Sequence, residues 1–480
     1  MFCEEQLAQK TKVWKGMERS TDEQRKLAED YYKFEIMPIV IDCFLQKYQK
    51  EEPCESMVLT LGTSYEPLVL SILALKPKKV LILYTEQSFH LLDDVIEFTK
   101  LKPTQYKATE VDSESPLQLY QEIKKAYERW GRPEDIYVDF TGGTKSMAAG
   151  CAMAGSAIGA KLIYVPGKYL THLRKPEPGT EKLFYVDDPY TVFGDIEREQ
   201  AFCLFNEMDY ISAYRIFDEL EKKVPNSKED DAFKYLSKAY SGWDSLDISE
   251  AKINLSKCYD IILKKGKLEK NLVLLQHEQK IKDQIEFLEV LEKLHCREKG
   301  DKEFIFNNIG YLIANLYQNA VRREAKERYE MATLLLYRIL ETIEQKRLWN
   351  YGIDTENADF SKLGYSDEEL REKINAIRIK IKGFNEIEHL DKKVSLMAGY
   401  ILLAAIGDDI IKNKKTAQLN RLKHKVDLRN KSIFAHGYEF IDKKKFEEFK
   451  DLVVEYMNLF FELENINKEK MLSVCEFIRL

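Results

Sequence analysis

Strand-like runs recur along the first part of the chain and then stop. MVLTLGT (57–63), KVLILYT (79–85), DIYVDFTGG (135–143) and KLIYVPG (161–167) are short apolar stretches that run into turn-forming residues. Helical stretches such as FHLLDDVIEFTKL and PLQLYQEIKKAYERW lie between them. Strands alternating with helices of this length imply βαβ crossovers and a mostly parallel sheet. KLFYVDD (182–188) is expected to add a last strand, and from Gly194 onward only helical patterns remain. The expected architecture is multi-domain: a helical prefix over 1–52, an α/β domain over 53–194, an all-α connector over 195–320 and an all-α terminal domain over 321–480.

The prefix carries Leu27, Tyr31, Phe34, Ile36 and Ile39 at helical spacing. In the connector, Asp209 with Ala213 and Asp247 with Ala251 form two similar copies of a helical-hairpin joint. A solenoid needs a third copy. In the terminal domain the turn-rich segment 349–370 is expected to be a long surface loop.

With 44% hydrophobic residues the chain can build large cores, and global disorder is excluded. The net charge of −7 argues against wholesale coating of nucleic acid, while a local basic patch remains compatible with it. Cysteines at 3, 43, 54, 151, 203, 258, 296 and 475 form no CxxC pair, and the histidines form no HExxH. No metal site is expected from such scattered ligands. The cysteines are expected to be reduced core thiols in a cytoplasmic protein. The N-terminal MFCEEQLAQK is too polar for a secretory signal, and Ser146–Ala160 is too short to span a bilayer, so no membrane association is expected.

In open α/β sheets, ligands bind at the carboxyl ends of parallel strands. Two loops fall there: Gly62-Thr63-Ser64 after the first strand, and Thr141-Gly142-Gly143-Thr144-Lys145 before a small-residue helix. Glycines admit a phosphate close to backbone amides, and the helix N-terminus adds partial positive charge. The hydroxyls and Lys145 suit an anionic ligand. TGGTK lacks P-loop spacing and GTSYEP is not GxGxxG, so neither NTP hydrolysis nor a dinucleotide cofactor is supported. The plainer alternative is a pair of tight turns with a chance lysine.

LRNKSIFAHG (428–437) raises a different question. Leu419, Leu422, Val426, Arg429, Ile433 and His436 follow spacings of 3, 4, 3, 4 and 3, the seam of a packed helix, with Gly437 as its stop. Arg429 and His436 then face a partner surface about 10 Å apart along the axis. Arg can hold a phosphate with two donors, and a His titrating near neutrality can move protons. With Asn430 beside them, these groups suit metal-independent cleavage of RNA by its own 2′-OH. A homodimer packing this seam on its copy would pool two of each group in one cleft. Between Lys412 and Lys431 there are eight Lys or Arg and one acid, Asp427, a local excess that would attract phosphates. The plainer alternatives are a solvated basic face, a structural ion pair for Arg429 and a capping role for His436.

The chain resembles the CRISPR-associated Rossmann fold (CARF) family joined to a HEPN ribonuclease domain. The resemblance rests on the loop after MVLTLGT, on DFTGGTKSM, and on RNKSIFAHG, which is similar to an Arg-x(4–6)-His motif with six intervening residues. It implies an N-terminal Rossmann-like sensor and a C-terminal all-α nuclease in a type III CRISPR system. It implies a homodimer, no cofactor, cyclic oligoadenylate as activator across the CARF two-fold axis, and single-stranded RNA as substrate. By position, Gly62, Thr63, Ser64, Thr141, Gly142, Gly143, Thr144 and Lys145 match the ligand loops, and Arg429, Asn430 and His436 match the catalytic motif. Some CARF domains also cleave their activator slowly. The competing expectation is a nucleotide-sensing module whose helical domain is catalytically inactive and serves dimerisation or partner binding. A nucleic-acid-binding regulator is disfavoured by the acidic composition and the lack of a convincing helix-turn-helix.

Overall fold

A computed structural model describes residues 2–173, 175–188, 192, 194–224, 228–266, 273–296, 301–411, 415–433 and 437–480. The chain divides into two compact units, Met1–Asp195 and Ile196–Leu480.

The first unit is built on a six-stranded sheet. Its strands are β1 (Ser56–Thr60), β2 (Lys79–Tyr84), β3 (Tyr106–Glu110), β4 (Ile136–Asp139), β5 (Lys161–Tyr164) and, after a two-stranded hairpin of β6 (Tyr169–Leu170) and β7 (Lys175–Pro176), β8 (Phe184–Val186). The order is β3-β2-β1-β4-β5-β8, parallel except for the antiparallel β5–β8 pair. The four strands read from sequence are central and apolar, and β1 is buried throughout. β3 was not legible because it is a sheet edge whose YKATE alternates without an apolar run.

Helices cover both faces of this sheet. On one side lie α1 (Phe2–Gly16), α2 (Asp22–Tyr31), α3 (Met37–Tyr48), α4 (Glu66–Leu75) and α5 (Leu92–Thr99), which share a core with Met57, Leu59 and Ile82. On the other, α6 (Pro116–Arg129) and α7 (Lys145–Ala157) pack on Val58, Leu81 and Val138. The helical prefix is therefore part of the sheet's own core. Its inward stripe is Ala28, Tyr32, Ile36 and Val40, whereas Leu27 and Phe34 are exposed. A π-helical turn at Tyr32–Ile36 accounts for the difference, because it shifts the register between α2 and α3. Cys3 and Cys43 form a disulfide between α1 and α3, so the expectation of thiols throughout fails for this pair. Their separation of 40 residues hid the pairing, since only the packing of the two helices brings the Cα atoms to 6.2 Å. Cys54, Cys151, Cys258 and Cys475 are buried free thiols.

The second unit is helical: α8 (Asp195–Asn206), α9 (Tyr210–Lys223), α10 (Lys228–Asp244), α11 (Ile248–Gly266), α12 (Glu278–Cys296), α13 (Lys302–Asn307), α14 (Ile309–Ala325), α15 (Tyr329–Trp349), α16 (Asp367–Arg378), α17 (Leu396–Ile406), α18 (Lys415–Asn430), α19 (Lys443–Leu463) and α20 (Lys468–Cys475). Both predicted joints are present. Met208 and Leu246 take left-handed backbone conformations, Asp209 and Asp247 accept first-turn amides, and Ala213 and Ala251 are fully buried. A third joint follows the same plan at Glu327-Arg328-Tyr329-Glu330-Met331-Ala332. Glu327 is left-handed, Arg328 N donates to the Arg323 carbonyl at 2.9 Å as Asp247 N does to Gly242 at 2.8 Å, and Ala332 is buried. Arg328 in place of the capping Asp concealed this copy. The surface loop expected over 349–370 is anchored, because Ile353 is fully buried and α16 starts with a Ser366–Glu369 capping box. Among the described residues, no helix is long and apolar enough to cross a membrane.

Candidate functional sites: sheet-end loops and the end of α18

β1 and β4 are adjacent, and the chain leaves them for opposite sides of the sheet. This is the switch point where the carboxyl ends of strands open a crevice. The two predicted loops meet there. A Cβ on Gly62 would collide with the amide of Gly143, and one on Gly142 would collide with the Thr60 carbonyl oxygen. Thr60 Oγ1 also donates to the Gly142 carbonyl at 2.7 Å. The glycines are thus required for the two loops to touch each other, a constraint distinct from approach by a ligand.

The hydroxyls divide into two groups. Thr141 Oγ1 donates to Asp139 Oδ1 at 2.5 Å and accepts from Val165 N at 2.8 Å. Thr144 caps α7 by accepting from Met147 N at 3.2 Å and donates to the Ser113 carbonyl at 3.0 Å. Both threonines build the loops. Thr63 and Lys145 are exposed and Ser64 is half-buried at the same edge. Asp139, which the sequence analysis did not single out, is fully enclosed, and burial pushes its carboxyl pKa up. A short polar residue ending a strand two positions before Thr was the available signal, since Asp commonly bonds the backbone two residues on.

A second polar cluster lies behind this edge. Lys175, on the β6–β7 hairpin, reaches buried Glu66 at 2.5 Å and lies over the rings of Tyr32 at 4.5 Å and Tyr65 at 5.4 Å. Glu181 accepts from Gly179 N at 2.7 Å, and burial raises its pKa to about 6. None of these residues was legible as a group, because three separate segments supply them.

In the helical unit, Leu419, Leu422 and Val426 are buried in one core with α15, α17 and α19. The helix then ends at Asn430, seven residues short of the expected stop. Glu439 N donates to the Lys431 carbonyl at 2.9 Å and Gly437 N to the Ser432 carbonyl at 3.2 Å, closing a tight loop. Ile433 is exposed. Among the described residues the helical stripe therefore stops at Arg429. Hydrogen bonding across the loop ends the helix, which apolar spacing alone did not register. His436 lies outside the described residues.

Arg429 is half-buried in the last turn of α18. Its guanidinium carbon lies 4.0 Å from the centre of the Tyr337 ring on α15, and one terminal nitrogen donates to Asn430 Oδ1 at 3.2 Å. Its Nε is buried without a hydrogen-bond partner. The other basic residues of α18 are engaged differently. Arg421 pairs with Glu455 at 2.5 Å, Lys423 with Asp427 at 2.6 Å, and Lys425 with Glu448. Three cations of the predicted basic stretch are thus paired with carboxylates. Arg429 has no carboxylate partner among the described residues. Burial, then Glu341, raise the Tyr337 phenol pKa. Among the described residues, no group of three or more His, Cys, Asp or Glu is placed to hold a metal.

In chain order, a mostly parallel α/β unit precedes a helical unit in which α18 ends on half-buried Arg429 and Asn430, the order of parts that the resemblance implied. Family models agree with this: the Csm6 6H domain matches residues 193–288 and the Csm6 HEPN domain matches residues 301–460. The CRISPR system endoribonuclease Csm6 of Thermus thermophilus is 27% identical over 405 residues, 81% of this chain and 82% of that protein. The chain thus carries matches to the 6H and HEPN domains of Csm6. Among solved structures, Enterococcus italicus Csm6 bound to cyclic hexa-2′-fluoro-hexa-dAMP aligns over 88% of this chain and 100% of that one, with 13% identity and a TM-score of 0.46. Can2 from Sulfobacillus thermosulfidooxidans in complex with cyclic tetra-adenylate aligns over 35% of this chain and 51% of that one, with 18% identity and a TM-score of 0.22.

Proposed function

We propose that this chain is a homodimeric endoribonuclease that cleaves single-stranded RNA without a metal ion and is switched on by a cyclic oligoadenylate bound at the sheet-end loops. The observation that carries the nuclease reading is Arg429, which has no carboxylate partner among the described residues and stands at the end of a helix whose other described cations are paired. The HEPN model over 301–460 and the Thermus endoribonuclease support the same reading.

In this mechanism the free edge of the Arg429 guanidinium binds the scissile phosphate and offsets the charge that grows on it. The RNA 2′-oxygen attacks phosphorus as its proton is taken up, and the bond to the 5′-oxygen breaks as that oxygen gains a proton. His436 serves these proton transfers, and Asn430 orients Arg429. The products are a 2′,3′-cyclic phosphate and a 5′-hydroxyl. Two copies of the chain supply the two Arg and two His that one composite cleft requires.

For the activator, support comes from the paired loops at the β1/β4 switch point, with the N-terminus of α7 and Lys145 beside them. Cyclic oligoadenylate is the anionic ligand implied by the resemblance of these loops to CARF loops.

The test is cleavage of labelled single-stranded RNA in excess chelator, with cyclic tetra- and hexa-adenylate supplied separately. One ring size should activate the wild-type protein at least tenfold. His436→Ala should abolish cleavage while leaving activator binding intact. Cleavage that requires an added metal contradicts the mechanism. No cleavage with any ligand favours a binding module with an inactive helical domain.

A further inference from the structure

We infer that Tyr337 is a positioning residue for RNA cleavage: its ring holds the Arg429 guanidinium over its face while leaving a terminal nitrogen open to a phosphate. This rests on the ribonuclease reading above and extends it to a residue outside the Arg-His motif.

An arginine that must grip a phosphate faces a conflict. A free side chain samples many rotamers, and ordering it costs free energy at the moment of binding. A carboxylate partner would order it but would occupy the same donors and cancel the charge. Arg421, Lys423 and Lys425 show the carboxylate solution on the same helix, each tied to an acid on α18 or α19. Arg429 shows the other solution. The guanidinium carbon stands 4.0 Å from the Tyr337 ring centre, a stacking distance at which the ring's negative face attracts the cation. An aromatic face accepts none of the in-plane hydrogen bonds that a phosphate needs.

The remaining contacts fit this arrangement. Asn430 Oδ1, a neutral acceptor, takes one donor at 3.2 Å. Nε faces the protein with no acceptor, so the side chain turns one donor inward and keeps the remaining terminal nitrogen free of any partner among the described residues. Tyr337 is itself fixed, since α15 packs into the main core of the unit through Leu336, Ile339 and Leu340 on either side of it. The ring thus transmits a rigid orientation to the guanidinium.

The experiment compares kcat and KM for RNA cleavage at saturating activator in wild type, Tyr337→Phe and Tyr337→Leu, with thermal midpoints recorded in parallel. Tyr337→Phe keeps the aromatic face and should retain kcat within about twofold. Tyr337→Leu should lower kcat roughly tenfold, the kinetic equivalent of one partly desolvated cation–π contact, with KM nearly unchanged. If Tyr337→Leu does not fold, Tyr337→Met takes its place with the same expectation. Equal losses in the Phe and Leu variants would overturn the proposal, as would full kcat in the Leu or Met variant. Arg429→Ala, measured alongside, separates the two claims: activity in that variant means that the ribonuclease assignment at this motif has failed, whatever Tyr337 does.

Discussion

The sheet-end loops of the first unit and the end of α18 in the second both present polar side chains where a phosphate-bearing ligand is expected, yet they are built in opposite ways. At the sheet end the polar groups serve the protein first. Thr141 bridges Asp139 and Val165, Thr144 caps α7 and reaches Ser113, and Glu66 holds Lys175. The proposed ligand site there consists mainly of backbone amides, the α7 N-terminus and the exposed Lys145. At the end of α18 the group proposed to bind phosphate has no carboxylate partner among the described residues. The difference teaches that position in a motif does not set a residue's role. A hydroxyl already donating and accepting is scaffold, and a guanidinium held, among the described residues, by a ring and an amide keeps donors available for chemistry.

Substitutions can break this contrast. The largest effect on stability is expected for Gly142→Ala, whose Cβ would run into the Thr60 carbonyl oxygen. It should cost about 3 kcal/mol, measured by urea denaturation, because backbone, not a flexible side chain, must move. A stable Gly142→Ala protein would mean that the two loops do not pack as described.

A smaller effect is expected at Glu181. Burial raises its pKa from 4.5 to about 6, so the folded state holds this proton more tightly than the unfolded chain does. Its contribution to stability is therefore greatest below about pH 4.5 and declines by ~2 kcal/mol as pH rises through about 6. Glu181→Gln should remove that decline, giving a thermal midpoint at pH 7 above that of the wild type. An unchanged pH profile would contradict the buried carboxyl. The smallest effect is expected for Lys145→Ala, which should leave the thermal midpoint alone and weaken activator binding about five- to tenfold, the loss of one exposed ionic contact. Calorimetric titration checks it, and unaltered affinity would remove Lys145 from the ligand site.

The legibility of the molecule follows the same divide between local and distant causes. Central strands are apolar for most of their length because helices cover both faces of the sheet, so β1, β2, β4 and β5 could be read directly. The edge strand β3, YKATE, has no apolar run and stayed hidden, whereas the other edge strand, β8, carries Phe184-Tyr185-Val186 and could be read. The joints at Asp209 and Asp247 were visible through their caps, whereas the one at Arg328 was not, although its backbone is the same. Ile433 continues the spacing of α18, but spacing carries no information about where a loop hydrogen bond ends a helix. Tyr337, the Cys3–Cys43 bond and the Glu66–Lys175 pair depend on segments far apart in the chain, and only packing brings them together.

The most direct measurement is single-turnover RNA cleavage at saturating activator in the presence of chelator, comparing Arg429→Ala with Lys425→Ala. The two cations lie on one helix, and Lys425 is tied to Glu448 while Arg429 is not. Arg429→Ala should lose on the order of 10²–10³-fold in rate, and Lys425→Ala should stay within a few-fold of wild type. Equal rates for the two variants, or wild-type cleavage by Arg429→Ala, would contradict the account.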